Sequence, residues 1–128
     1  MEKDESFVEM TGELGPLDWK FIKEVNADIE KNLQKTEYNI NALSASLCMS
    51  RTSFYNKIKA LTGQAPSEYV RLIRLKHAAR MLKDGVYNIT EVAERTGFND
   101  PKYFREVFKK YYKVAPSQYA SGESSYTV

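Results

Sequence analysis

An all-α fold built on a duplicated helix-turn-helix is what these 128 residues predict, and three observations lead there. The first is the stretch from Asn88 to Tyr119, NITEVAERTGFNDPKYFREVFKKYYKVAPSQY. The second is an echo of it fifty residues earlier. The third is that apolar residues elsewhere recur at helical spacing, as in Ile22, Val25, Ile29 and Leu33, or Leu72, Leu75, Ala79 and Leu82.

The Asn88–Tyr119 stretch reads as a short helix, a tight turn and a second, basic helix. Asn88 is an N-cap, and Glu91 three residues on completes a capping-box pattern. Ile89, Val92 and Ala93 give the short helix its apolar face. Gly97 permits a left-handed turn residue and Phe98 plugs the corner. Asp100-Pro101 restarts the chain, with an N-cap carboxylate before proline at the first helical position. In the second helix Tyr103, Phe104, Val107, Phe108 and Tyr111 recur at helical spacing and are expected in the core. Lys102, Arg105, Glu106 and Lys109 fall on the opposite face. A second helix of this kind can enter a DNA major groove.

The echo is quantitative. Phe54–Tyr69 aligns with Phe104–Tyr119 at an offset of 50, and six of the sixteen pairs are identical: Phe54/Phe104, Lys59/Lys109, Ala65/Ala115, Pro66/Pro116, Ser67/Ser117 and Tyr69/Tyr119. Roughly one identity is expected by chance, so the match marks an internal repeat. Ile40 pairs with Ile89 at an offset of 49, which puts one extra residue at the turn of the second copy.

Taken in order, residues 1–16 are acidic with two glycines and no periodicity, and are expected to be a flexible leader. Asp18 is the expected cap of a first helix over Trp19–Leu33. Asn39 caps a helix over Ile40–Ser46, Met49 takes the plug position of Phe98, and Ser50 caps Arg51–Thr62, which Gly63 ends. In that helix Phe54, Ile58 and Leu61 are expected inside, and Thr52, Tyr55, Asn56 and Lys59 outside. A long helix over 66–84 then links the copies, with Arg71, Arg74, Lys76, Arg80 and Lys83 around its apolar stripe. At about 1.5 Å per residue it spans on the order of 27 Å, comparable to the 34–36 Å of one DNA turn. After Tyr119 the polar residues 121–128 have little reason to fold.

Charge and cysteine usage narrow the function classes. Residues 1–37 carry a net −5 and residues 38–128 a net +7, giving +2 for the chain. An acidic leader on a basic body suits a polyanionic partner. No apolar run approaches the roughly 18 residues of a membrane span, so no membrane contact is expected. The single cysteine excludes an internal disulfide, and Cys48 with His77 does not make a structural zinc site. Cys48 matches Gly97 at the turn, which argues against a nucleophile. No paired carboxylates, phosphate loop or metal cluster supports an enzyme, and no cofactor is expected. A helical protein-interaction module is the rival class; it accounts for amphipathic helices but not for duplicated basic faces.

These residues carry a family resemblance. Ile89-x-x-Val92-Ala93, Gly97-Phe98-Asn99-Asp100, Tyr103-Phe104-x-x-x-Phe108-Lys109 and Pro116-Ser117-x-Tyr119 resemble the DNA-binding domain of the AraC/XylS family of bacterial transcription regulators, over roughly residues 38–120. The resemblance implies seven helices in two helix-turn-helix subdomains (39–63 and 88–113 within a domain of 17–120), with double-stranded DNA as partner. It implies base contacts from Thr52, Tyr55, Asn56, Lys102, Arg105 and Glu106, and phosphate contacts from Arg51, Lys59 and Lys109. The chemistry is consistent: asparagine pairs with adenine, arginine or lysine with guanine, and glutamate accepts from cytosine. It leaves RNA polymerase open as a further partner and implies a monomeric domain in the bacterial cytoplasm. Cys48 and Lys113 depart from the pattern by standing where glycines are usual. The leader helix also resembles the segment preceding such a domain in hybrid two-component regulators, whose upstream sensor can anchor the whole protein in a membrane. A free-standing short regulator is the alternative setting.

Overall fold

The computed structural model describes residues 14–122. The leader expected over residues 1–16 falls almost wholly, and the tail over 121–128 mostly, outside them. Among the described residues the chain forms seven helices and no strand: α1 (Pro16–Lys31), α2 (Ile40–Ser46), α3 (Arg51–Thr62), α4 (Pro66–Asp84), α5 (Ile89–Arg95), α6 (Pro101–Tyr112) and α7 (Pro116–Ala120). They divide into two compact units. One holds α1, α2, α3 and α4 as far as Ile73; the other holds the segment Leu33–Thr36 and the chain from Arg74 onward.

Local sequence accounts for most helix ends. The side chains of Asn39 and Ser50 accept from Ala42 N at 2.9 Å and Ser53 N at 3.1 Å, opening α2 and α3. Asn88 and Glu91 form the reciprocal box at 2.8 and 2.9 Å, and Asp100 accepts from Lys102 N at 3.0 Å. Each such cap contributes about 1 kcal/mol by satisfying an otherwise orphaned N–H. α1 differs from expectation. Gly15 is its N-cap, Pro16 stands at its first position, and Asp18 lies within the first turn. Proline lacks the N–H that would be unsatisfied there and has φ already set for a helix, so it outcompetes the later carboxylate. α1 also stops at Lys31, where the Asn32 side chain turns back to Asp28 O at 2.8 Å, leaving Leu33 beyond the helix.

In the first unit Phe21, Ile22, Val25 and Ile29 of α1, Leu43 of α2, Phe54 and Ile58 of α3, and Tyr69, Leu72 and Ile73 of α4 are buried. Phe21 meets Phe54 edge-on at 6.1 Å between centroids. The buried Tyr69 ring sends its hydroxyl to Asn26 Oδ1 at 2.6 Å, so the polar tip is satisfied. Leu61, expected inside, is only half-buried, and Thr62 is buried instead. Its hydroxyl donates to Ile58 O at 2.8 Å, which lets a polar side chain occupy the interior.

The second unit has a core of Leu75, Ala78, Ala79 and Leu82 from α4, Val92 and Ala93 from α5, Phe98 from the turn, and Phe104 and Phe108 from α6. An aromatic chain runs through it, from Phe98 to Phe104 (5.1 Å), Phe108 (5.7 Å) and Tyr112 (4.5 Å, stacked). Two members of the expected stripe lie outside this core: Tyr103 is 45% exposed and Tyr111 37%. α6 inserts only a narrow stripe, and Tyr103 sits about 100° around the helix from Phe104.

Arg74 is the other correction. Expected among the cations around the α4 stripe, it is 7% exposed. Its guanidinium donates to the carbonyl oxygens of Leu33 (2.6 Å), Thr96 (2.8 Å) and Lys35 (3.3 Å). A charge is tolerated in such a place when several acceptors replace its water.

Candidate nucleic-acid interface

The two copies of the repeat are built alike, residue by residue. α2 and α5 both have seven residues, and α3 and α6 both have twelve. The turns correspond: Cys48 and Gly97 have φ of +58° and +86°, and Met49 N and Phe98 N return to the carbonyls of Ser44 (3.0 Å) and Ala93 (2.9 Å). The extra residue of the second copy is Asn99, between the Phe98 plug and the Asp100 cap. Both second helices end on a left-handed residue, Gly63 at φ +77° and Lys113 at φ +73°. The two residues singled out at glycine positions, Cys48 and Lys113, are thus the two non-glycine residues with positive φ among the described residues.

All nine predicted contact residues are exposed. On α3, Arg51, Thr52, Tyr55, Asn56 and Lys59 face solvent opposite Phe54 and Ile58, and Tyr55 stays 46% exposed despite its ring. Arg51, Thr52, Tyr55 and Asn56 come together in an open depression of about 660 Å³, whose other walls are Ile40, Ala65, Pro66 and Ser67. Lys59, two turns along, is not part of it. On α6, Lys102, Arg105, Glu106 and Lys109 lie along the side away from Phe104 and Phe108. A depression of about 520 Å³ in this unit is bordered instead by Leu82, Gly85, Tyr87, Asn88, Ile89, Thr90, Ser117, Ala120 and Ser121, none of them a predicted contact. Sequence reading missed the wall made by Ala65, Pro66 and Ser67. The signal was present, since Ala-Pro-Ser recurs at 115–117, but it served only to mark the repeat.

The α3 face offers hydroxyl, phenol and amide groups between two cations, whereas the α6 face offers three cations and one carboxylate. Both sets suit base edges and phosphates. Among the described residues no group of His, Cys, Asp and Glu could hold a metal ion, and no helix is long and apolar enough to cross a membrane. Cys48 is free and exposed.

Duplicated helix-turn-helix units with exposed polar second helices define a DNA-binding class of protein, and comparison with known proteins identifies the family. Residues 43–122 match the model of a helix-turn-helix domain family. The chain belongs to the AraC-type helix-turn-helix DNA-binding domains. It is 37% identical over 106 residues to histidine kinase P4 of Formosa agariphila, covering 83% of this chain and 8% of that protein. It is similar to the C-terminal domain of the two-component response regulator YesN of Fusobacterium nucleatum (TM-score 0.70, 28% identity, 79% of this chain and 98% of that one). It is also similar to the DNA-binding domain of AdpA, a global transcriptional factor solved in complex with a target DNA (TM-score 0.71, 31% identity, 79% and 90%). The chain spans about a third of the length of several curated regulators it matches.

Proposed function

We propose that this chain is the sequence-reading part of a bacterial transcription regulator, binding double-stranded DNA with α3 and α6 in successive major grooves. The observation that carries this is the pair of twelve-residue helices with matching caps, each exposing a polar and charged face opposite its buried one. Thr52, Tyr55 and Asn56 read bases from α3, and Lys102, Arg105 and Glu106 from α6. Arg51, Lys59 and Lys109 hold phosphates. The chain itself has no catalytic role and needs no cofactor or metal. Its place is the cytoplasm, as the output module of a two-component protein. The similarity to a histidine kinase and to a response regulator's C-terminal domain supports that setting.

The test is binding to duplex DNA at rising salt, followed by selection of a preferred site from random sequence. Neutralising phosphates with cations releases counterions, so log K should fall steeply with log salt. A preferred site should emerge that unrelated duplexes compete for poorly. A flat salt response with no preferred site would return the helical protein-interaction module as the better reading.

A further inference from the structure

Neither recognition face uses Arg74, yet among the described residues it is the buried cation of the second unit. One of its nitrogens, Nη1, donates both to Leu33 O at 2.6 Å and to Thr96 O at 2.8 Å, while Nη2 donates to Lys35 O at 3.3 Å. Thr96 is the C-cap of α5 and opens the turn from which α6 departs. Its own hydroxyl is fixed to Val92 O at 2.7 Å. The next residue, Gly97, lies directly against the guanidinium: a Cβ there would overlap Arg74 and come within 2.6 Å of Leu33 O. In the first copy the equivalent position carries an exposed Cys48 side chain. The second turn is therefore built around a planar donor where the first is open.

We propose that Arg74 is a positioning residue for the second reading helix. By tying the carbonyls of Leu33 and Lys35 to that of Thr96, it sets the turn that presents α6, and so governs base choice in the half of the site that α6 reads. Residues 33–35 lie outside the family-matched region 43–122, so this setting is supplied by the chain that follows α1. A guanidinium meets three acceptors from two nitrogens, which a lysine ammonium on a single nitrogen does not reproduce. Bidentate base contacts demand placement to about 0.5 Å, whereas attraction to phosphates tolerates more. Loosening the turn thus reduces discrimination before it reduces general affinity. The inference rests on the DNA-reading function proposed above.

The experiment uses the full chain and a duplex site selected from random sequence. Asn56→Ala and Arg105→Ala first assign one half of the site to α3 and the other to α6. Arg74→Lys and Arg74→Met are then titrated against duplexes with single base changes in each half. The discrimination ratio in the α6 half should fall at least about fivefold, a loss within the range of one bidentate base contact. In the α3 half it should stay within about twofold of wild type, since α3 lies in the other unit. Amide exchange without DNA supplies a separate readout: Gly97 and Phe98 should exchange faster in Arg74→Lys, with Cys48 and Met49 unchanged. Equal losses in both halves, or wild-type discrimination in Arg74→Lys, would overturn the proposal. If Arg74→Met loses its helical spectrum, Arg74→Lys decides alone. A wild-type chain that selects no site sinks the DNA-reading function instead, and exchange at Gly97 and Phe98 then decides whether Arg74 sets the turn.

Discussion

The two helix-turn-helix copies share a backbone and differ in most of the side chains attached to it. Their helices have equal lengths, their turns place a positive-φ residue before a plug, and their second helices end on left-handed caps. Their side chains have parted. Behind α3 lie Phe54, Ile58 and a hydrogen-bonded Thr62; behind α6 lie Phe104, Phe108 and Tyr112, an aromatic column in which Phe104 is tilted against Phe108 and Tyr112 stacks on it. In front, the first copy presents mainly uncharged groups, and the second mainly charge. The difference teaches that the architecture depends on caps, turn φ and one buried stripe, which leaves the outward face free to diverge.

The comparison breaks most severely through the buried stripes. Phe104→Ala and Phe54→Ala remove fully buried rings and should each cost about 3–5 kcal/mol, measured by urea denaturation followed by circular dichroism. If the aromatic column adds to burial, Phe104→Ala should be the costlier of the two. Equal costs would mean that the column contributes area alone.

The turns should respond with opposite signs. Gly97→Ala forces a Cβ onto Arg74 at φ +86° and should destabilise by about 2 kcal/mol or more. Cys48→Gly relieves a left-handed non-glycine residue at φ +58° and should stabilise by about 0.5–1 kcal/mol. Thermal melts of the two variants decide it, and a Gly97→Ala protein as stable as wild type would contradict the close packing at that turn.

On the outward faces, Asn56→Ala and Arg105→Ala should each weaken binding to the selected site by about 1–3 kcal/mol and relax base choice at one position. Lys109→Ala, which removes a phosphate-holding cation, should instead weaken binding to all sequences and lower the salt slope. Variants of both kinds that behave alike on selected and random duplexes would erase the proposed division of roles. An effect as small as that of Cys48→Gly is expected at the end of α6, where Lys113→Gly should stabilise by roughly 0.5–1 kcal/mol by relieving φ +73°, again read from thermal melts.

What could be read from the residues was what the residues settle locally. Asn39, Ser50, Asn88 and Asp100 announced their helices because a cap needs only its own neighbours; Cys48 was placed at its turn through the repeat, and Lys113 at a glycine position through the family resemblance. Asp18 misled because Gly15-Pro16, a competing local signal, lies just upstream. Tyr103 and Tyr111 misled because periodicity gives the direction of a stripe but not its width, which depends on what α6 packs against. Arg74 was illegible for a different reason: its partners are backbone carbonyls 22 to 41 positions away, and carbonyls have no letter in a sequence. The depression beside α3 was half visible, through Arg51, Thr52, Tyr55 and Asn56. Its far wall required the start of α4 to be placed in space.

The segment Leu33–Thr36 also bears on how the chain folds. The first unit already joins distant stretches, since Phe21 meets Phe54 and Tyr69 reaches Asn26, 43 positions away. The carbonyls of residues 33 and 35 wait longer, because they are tied to Thr96 through Arg74. During synthesis the segment leaves the ribosome before α2, α3 and α4 exist, and the arginine that binds its carbonyls comes only with residue 74. Closing that loop costs entropy. The second unit should therefore complete its structure last, by capturing a piece of chain made long before the rest of it.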